Sequence, residues 1–170
     1  MMGLDRVGAA DVDELRSFLA AVDLTLAGLE SDNVRLWIER DCQHKIVGTT
    51  GYEISEDRRH ALIRSVAVWP ENRSAGSGSR LAGFALAEAA KEGARTAWLF
   101  SRRSGAFWQK LGFEAADRSH LAKALADTHQ VQLFTHTGQL GREIAWSKDL
   151  VAATCSAELT IPAAQPETLP

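Results

Sequence analysis

The segment ALIRSVAVWPENRSAGSGSRL, residues 61–81, decides the fold of this chain. It begins as an apolar strand, passes through a turn rich in glycine and serine, and continues into an alanine-rich helix that starts near Gly78. Because small residues leave the backbone uncovered, the N–H groups of the turn and of the helix start can converge on an anion, helped by the positive end of the helix dipole. The segment therefore predicts a phosphate-binding strand, loop and helix, with a phosphorylated cofactor as the first hypothesis.

Two common phosphate-binding loops do not fit this turn. A P-loop would end in Gly-Lys-Ser/Thr, and no lysine stands there, whereas a dinucleotide fold would place its glycines after the first strand of the chain. Taken alone, Gly76, Gly78 and Ser79 could also form a flexible turn with a serine helix cap. At this level anion binding and a purely structural turn both stay open.

Two motifs together resemble one family. Arg73-Ser74-Ala75-Gly76-Ser77-Gly78 resembles the R-x-x-G-x-G/A coenzyme A motif of the GNAT superfamily of N-acetyltransferases, and FWQKLGF, residues 107–113, resembles its F-Y-x-K-L-G-F segment. The order and separation of the two motifs are more specific than either motif alone. The resemblance implies an α/β fold with a mixed, centrally splayed sheet flanked by helices. It also implies acetyl-CoA as cofactor and direct attack by an amine in a ternary complex.

The resemblance also implies where the cofactor binds. The strands ending at Trp69 and Phe100 would splay apart and admit the pantetheine arm. Backbone groups of the first strand would then hold the arm and the thioester carbonyl, as an oxyanion donor does. The implied cofactor residues are Val66, Ala67, Val68, Arg73, Ser74, Ala75, Gly76, Ser77, Gly78, Ser79, Ser101, Phe107, Trp108 and Lys110.

Three positions depart from the family pattern. Trp108 stands where many members have the tyrosine that protonates the departing thiolate, and an indole N–H is not a usable acid near neutral pH. Ser74 and Ser77 replace the usual glycine and apolar residue. A member altered in this way could bind an acyl-CoA without turnover and serve as a binding or interaction module. Acetylation of proteins or peptides is a further alternative.

Glu53, Arg64 and Ser101 are the candidates for the chemistry. Glu53 could accept a proton from the attacking ammonium group as a general base, and Arg64 could hold a substrate carboxylate bidentately. Ser101 falls where an asparagine often sits and could hydrogen-bond the arm. The structural alternative is a solvent-facing Glu53, or a simple ion pair between Glu53 and Arg64.

A narrower resemblance concerns the substrate. Residues 47–53 and 61–68, with Arg118 and Thr128 further on, look similar to the arsenic-resistance N-acetyltransferase branch. This resemblance implies a small, amino-acid-like amine as the acetyl acceptor.

Composition limits the other possibilities. A chain of 170 residues with 45% hydrophobic and 24% charged residues is typical of one globular domain, and a net charge of −3 disfavours nucleic-acid binding. Cys42 and Cys155 suit a reducing cytoplasm, and the histidines show no metal-ligand spacing. We expect no metal and no membrane partner, and a homodimer stays open. Residues 1–150 are expected to form the acetyltransferase domain, and residues 151–170, rich in proline, a flexible tail.

Hydrophobic periodicity predicts the course of the chain. Helices are predicted at 11–22, 24–29, 78–92, 104–111 and 119–127, and strands at 34–39, 45–53, 62–69, 95–100, from 113 onwards and at 129–135. A capping box of Asp11 and Glu14 would open the first helix. The strand, helix and strand between residues 62 and 100 require two parallel neighbours with a right-handed crossover.

Overall fold

The computed structural model describes residues 3–150, and these form seven strands and five α-helices. The strands are β1 (Leu4–Arg6), β2 (Val34–Arg40), β3 (Ile46–Ile54), β4 (His60–Val68), β5 (Thr96–Phe100), β6 (Glu114–Ala116) and β7 (Ala145–Asp149). The helices are α1 (Val12–Ala21), α2 (Ser77–Lys91), α3 (Gly105–Lys110), α4 (Arg118–Ala124) and α5 (His129–Thr137). The predicted tail, residues 151–170, lies outside the described residues.

All seven strands belong to one mixed sheet with the order β1-β2-β3-β4-β5-β7-β6. The first four strands form an antiparallel meander, whereas β4 and β5 are parallel neighbours joined by the crossover helix α2. A parallel pair needs such a crossover because the chain must return to the same end of the sheet. The mixed α/β sheet predicted from the sequence is therefore confirmed.

The sheet opens at its centre. β4 and β5 pair only from His60 with Thr96 to Leu62 with Trp98. Beyond this point β4 continues to Val68 beside β3, and β5 continues to Phe100 beside β7. The two parallel strands therefore diverge, which confirms the predicted splay. We call the gap between them the cleft.

Helices cover both faces of the sheet. On the face that we call the α2 face, α2 buries Ala82, Ala85 and Ala89 against the central strands. These alanines recur every three or four residues on one side of the helix, and their small size lets it lie close to the sheet. On the opposite face, the α1 face, α1 packs through Leu15 and Leu19, and α4 and α5 pack beside it over β5 and β7.

The strand predicted at 129–135 is wrong, because these residues form α5. Val131 and Phe134 are buried and lie three residues apart, while Leu133, which alternation would place beside Val131, is 38% exposed. Short apolar runs cannot be assigned to strand or helix by periodicity alone. The last strand is instead β7, which lies between β5 and β6.

Two smaller predictions also fail. Residues 24–26 have no regular secondary structure and residues 27–29 lie in a turn, not a helix, because Gly28 has φ +68° and the carbonyls of Thr25 and Ala27 accept hydrogen bonds from Arg64. The start of α1 has no capping box at Asp11, whose carboxylate accepts the Gly8 N–H at 2.8 Å. Among residues 3–150, no helix has the length and apolar character needed to cross a membrane.

Tyr52, the only tyrosine in the sequence, makes the alkaline stability of this fold measurable. Its side chain is 1% exposed and its hydroxyl donates to Glu92 at 2.5 Å. Burial first, and then the Glu92 carboxylate, raise the pKa of Tyr52 far above its ordinary value. The unfolded chain ionises at a pH of about 10. The contribution of Tyr52 to stability is therefore complete below that pH and is lost as the pH rises above it.

Free tyrosine ionises at a pH of about 10. We therefore expect the folded protein to show no tyrosinate absorbance above this pH until the fold is lost. A titration followed by near-ultraviolet absorbance and by far-ultraviolet circular dichroism should show both changes together. In Tyr52→Phe the alkaline loss of stability should become smaller. Tyrosinate that forms near pH 10, about the ordinary value, while the dichroism is still native would contradict the prediction.

Candidate active site

The glycine–serine loop lies at the start of α2 and is closed by its own serines. Ser77 N–H donates to the Ser74 carbonyl at 3.2 Å, and the two hydroxyls lie 2.7 Å apart. Ser74 N–H also donates to Ser77 Oγ at 3.3 Å. Gly76 is the N-cap of α2 with φ +85°, a conformation that residues with a side chain rarely adopt. The two serines that depart from the family pattern therefore stabilise this turn.

Four backbone donors remain available on this loop. In the part of the chain that the structure describes, no acceptor binds the N–H groups of Ala75, Gly76, Gly78 and Ser79. A helix start leaves such groups without an intrahelical partner, and the helix dipole favours a negative charge beside them. The loop therefore has the donors that a diphosphate needs.

The strand that borders the cleft is irregular at Ser65. The register of β4 with β3 pairs Ala67 with Thr49 but Arg64 with Gly51, so that Ser65 and Val66 together oppose one residue, Thr50. This is a β-bulge, and Ser65 has φ +59°. Thr49 Oγ1 donates to the Ser65 carbonyl at 2.5 Å and holds the bulge.

The strand alternation indicates that backbone groups in the bulge and directly after it point into the cleft. Trp69 N–H donates to the Val47 carbonyl at 2.7 Å, and Ala67 lies opposite Thr49 on the same side. Because hydrogen bonding alternates along a strand, the N–H groups of Val66 and Val68 point away from β3 and towards the cleft. By the same alternation the backbone of Ala67 is directed at β3, so only its neighbours fit the predicted contact with the pantetheine arm.

The second motif lies against the first. A Cβ atom on Gly78 would lie 3.4 Å from the Phe107 ring, which therefore packs on the loop. Trp108 is 8% exposed and stacks edge-on between Phe107 and Phe113, with centroids 4.9 and 5.3 Å away. Lys110 is exposed in the last turn of α3. The structure thus brings together the two segments that the sequence paired by resemblance.

Ser101 follows directly after β5, on the other border of the cleft. Its hydroxyl accepts the N–H of Ser104 at 3.0 Å and its N–H donates to the Ile144 carbonyl at 2.9 Å. The hydroxyl therefore closes the turn into α3, and the side chain remains partly exposed. Among residues 3–150, no group of His, Cys, Asp or Glu side chains could hold a metal ion.

Glu53 and Arg64 are neighbours, but their side chains have 0% exposure. Arg64 Nη1 donates to Glu53 at 3.2 Å and to the Ala27 carbonyl at 2.6 Å. The Glu53 carboxylate also accepts the backbone N–H groups of His129 at 2.6 Å and Gln130 at 3.1 Å. The observed geometry is thus the ion-pair alternative, because neither group has surface for direct contact with a substrate.

Two opposite effects act on the pKa of Arg64 in this pair. Burial lowers the pKa of the Arg64 guanidinium, and the Glu53 carboxylate acts in the opposite direction by favouring the protonated form. Arginine stays protonated in proteins because its ordinary pKa is so high. The pair is therefore a buried cation beside an anion, and the two formal charges cancel.

Sequence reasoning did not identify the segments around this pair. The loop at 22–33 and the start of α5 meet where Gly28 faces His129, and a Cβ atom on Gly28 would collide with the imidazole ring. The one local signal was Gly28 itself, in a region predicted to be helical. The partners of Arg64 and Glu53 in these segments lie far away in the sequence and follow no motif.

Residues 32–115 match the family model described as Acetyltransferase (GNAT) domain. The matched range runs from just before β2 into β6, so it contains β4, the loop and α3. No curated protein matches the chain at the level of sequence.

Solved structures of low sequence identity share the fold. An acetyltransferase of the GNAT family from Staphylococcus aureus has a TM-score of 0.68 at 13% identity, over 88% of this chain and 99% of that chain. N-acetylglutamate synthase from Neisseria gonorrhoeae, complexed with coenzyme A and N-acetyl-glutamate, has a TM-score of 0.66 at 14% identity over 88% of this chain. This chain spans only 35% of that synthase. Rv2747 from Mycobacterium tuberculosis, in complex with CoA, has a TM-score of 0.63 at 13% identity, over 86% of this chain and 98% of that chain.

The domain match and the shared fold define the class of the protein. Residues 32–115 are a GNAT acetyltransferase domain, and the sheet, cleft and loop form the GNAT acyl-CoA N-acyltransferase fold. The match indicates an N-acetyltransferase domain over residues 32–115, and two of the solved structures that share its fold are complexed with coenzyme A. The arsenic-resistance branch is not confirmed by these comparisons.

Proposed function

We propose that this protein transfers the acetyl group of acetyl-CoA to the amine of a small, amino-acid-like molecule, by direct attack in a ternary complex. The observation that carries the proposal is the arrangement of free backbone donors along one path. The amides of Ala75, Gly76, Gly78 and Ser79 lie at one end of this path. By the alternation along β4, the Val66 and Val68 N–H groups face the cleft further along it.

The residues of the chain would divide the binding between them. The N–H groups of Ala75, Gly76, Gly78 and Ser79 would hold the diphosphate, and Val68 would hydrogen-bond the pantetheine arm in the cleft. The Val66 N–H would donate to the thioester oxygen and stabilise the negative charge that develops there. Acetyl-CoA supplies the activated acetyl group when bound.

The proton balance of the reaction needs no strong acid on the protein. A neutral amine attacks the thioester carbonyl and forms the C–N bond, the C–S bond breaks, and the amine nitrogen loses one proton to water. The leaving thiol has a pKa of about 8.5, like a cysteine, so it can depart as the thiolate. Trp108 would then contribute packing and no proton.

The amine would approach from the α1 face. The loop and α2 occupy the α2 face of the sheet, so a phosphate-anchored cofactor leaves the opposite side of the cleft for the acceptor. The resemblance to the arsenic-resistance branch supports an amino-acid-like acceptor. The structurally similar N-acetylglutamate synthase from Neisseria gonorrhoeae, which is complexed with N-acetyl-glutamate, supports it too. The Arg64 guanidinium is already paired, so a carboxylate on the substrate would need another partner.

A panel of five amines tests this proposal: L-glutamate, L-methionine, tyramine, kanamycin and a tripeptide with a free N-terminus. Thiol release from acetyl-CoA and the mass of the product are measured for each amine at equal concentration. We expect the two amino acids to react fastest. Coenzyme A binding without thiol release would instead support the binding-module alternative, and a preference for the tripeptide would support peptide acetylation.

Trp108→Phe tests the role of the indole. We expect the rate of acetyl transfer to stay within about threefold, because the ring only packs against Phe107 and Phe113. The free energy of unfolding should fall by about 1–2 kcal/mol, because the smaller ring leaves a gap. Single-turnover thiol release and urea unfolding measure the two quantities. A thousandfold slower rate, about 4 kcal/mol in the barrier, at unchanged cofactor affinity would show that the indole takes part in the chemistry.

A further inference from the structure

We propose that Glu53 and Arg64 are positioning residues, whose buried ion pair holds the loop at 22–33 and the start of α5 together as the amine-side wall of the cleft. The inference rests on the proposed function, because it assigns this wall to the acceptor side.

Arg64 joins the loop to the strand that borders the cleft. It lies on β4 directly before the bulge, and its Nε donates to Ser65 Oγ at 3.2 Å. The other nitrogens of the guanidinium donate to the carbonyls of Ala27 at 2.6 Å and Thr25 at 3.2 Å. A planar group with donors in a fixed fork can hold several acceptors in one geometry. The loop is therefore fixed relative to Val66, two residues after Arg64.

Glu53 joins α5 to the same pair. Its two oxygens accept the N–H groups of His129 and Gln130, the first two residues of α5. A carboxylate at this end of a helix satisfies donors that lack an intrahelical partner and interacts favourably with the helix dipole. The start of α5 is therefore attached to β3 through Glu53 and, through the ion pair, to β4.

The loop and α5 also contact each other and the second border of the cleft. Gly28 lies against the imidazole of His129 so closely that no Cβ atom would fit. Further along α5, Phe134 packs on Phe100 at the end of β5, with ring centroids 5.3 Å apart. The wall therefore bridges the two separated strands on the α1 face, and its position decides how much space the amine has.

The energetics of the pair agree with a positioning role. In a buried ion pair the attraction between the two charges roughly offsets the free energy lost when they are removed from water. Replacing both partners by neutral groups of similar size therefore changes the free energy of unfolding little. The effect that we assign to this pair is geometric. It should appear in the binding of the amine and in the mobility of the two segments, and the cofactor side should be unaffected.

Glu53→Gln/Arg64→Met is the variant that tests the inference, because it removes both charges and leaves none buried alone. We measure KM for the fastest of the five amines, kcat, coenzyme A affinity by calorimetry, and hydrogen exchange of residues 23–29 and 129–134. We expect KM to rise about tenfold or more and exchange of both segments to accelerate, while kcat falls less than KM rises and coenzyme A affinity stays within about twofold. Arg64→Lys keeps the charge but lacks the forked guanidinium. Its KM and its exchange rates should lie between those of the unaltered protein and the double variant.

Arg35→Met is the matched control, because Arg35 pairs with Glu92 at 2.9 Å on the α2 face, on the opposite side of the sheet from the Glu53–Arg64 pair. It should leave KM and the exchange of the two segments unchanged. An unchanged KM in the double variant, or unchanged exchange, would overturn the inference. A loss confined to kcat, with a shifted pH profile, would overturn it too and restore Glu53 as a base. If the unaltered protein acetylates none of the five amines, the proposed function fails, and the exchange rates still decide whether the pair holds the wall.

Discussion

Gly78→Glu is expected to weaken coenzyme A binding about a hundredfold or more. The N–H of Gly78 is one of the four free donors of the loop, and a glutamate there would place a further negative charge beside the diphosphate. Like charges in contact cost several kcal/mol, and each 1.4 kcal/mol corresponds to about a tenfold change in affinity. Calorimetric titration with coenzyme A measures the loss.

Gly83→Glu is the control for this substitution. Gly83 lies on the exposed side of the same helix, and nothing lies within 4 Å of a Cβ atom there. Gly83→Glu should therefore add the same charge with little effect on the affinity for coenzyme A. Gly78→Ala should fold normally, because its Cβ atom would only touch Phe107 at 3.4 Å. Full coenzyme A affinity in a folded Gly78→Glu protein would remove the loop from the cofactor site.

Arg64→Met is expected to lower the free energy of unfolding by about 3–5 kcal/mol. The substitution leaves the fully buried Glu53 carboxylate without its cation, although the His129 and Gln130 amides still bind it. Adding Glu53→Gln should recover much of the loss, because the lone buried charge disappears. Urea unfolding of the two single variants and the double variant gives the coupling between the residues.

The comparison for this stability loss is again Arg35→Met. The side chains of Arg35 and Glu92 are 19% and 21% exposed, so water can solvate the carboxylate that remains. We expect a loss of about 1 kcal/mol there. If the effects of Glu53→Gln and Arg64→Met on the free energy of unfolding simply add, the two side chains are not coupled, and the prediction is wrong.

The outcome for α5 shows where sequence patterns stop being informative. The short run QVQLF, residues 130–134, predicts a strand, yet residues 129–135 form a helix whose first two amides bind Glu53. So short a run fits either structure until tertiary contacts decide which side is buried. Here the decision came from a carboxylate 76 residues away. The neighbouring strand β7 was likewise left unassigned by local patterns.

The sequence by itself determined the local structure of the proposed cofactor loop. Small residues, a glycine with φ +85° and a helix start lie within residues 73–79, and backbone conformation of this kind is a local property. The tertiary structure alone decided the proposed amine side, where Arg64 binds carbonyls 37 and 39 residues away. Whether a charged side chain faces a substrate or a partner depends on which segments cover it, and that is set by packing between elements far apart in the chain.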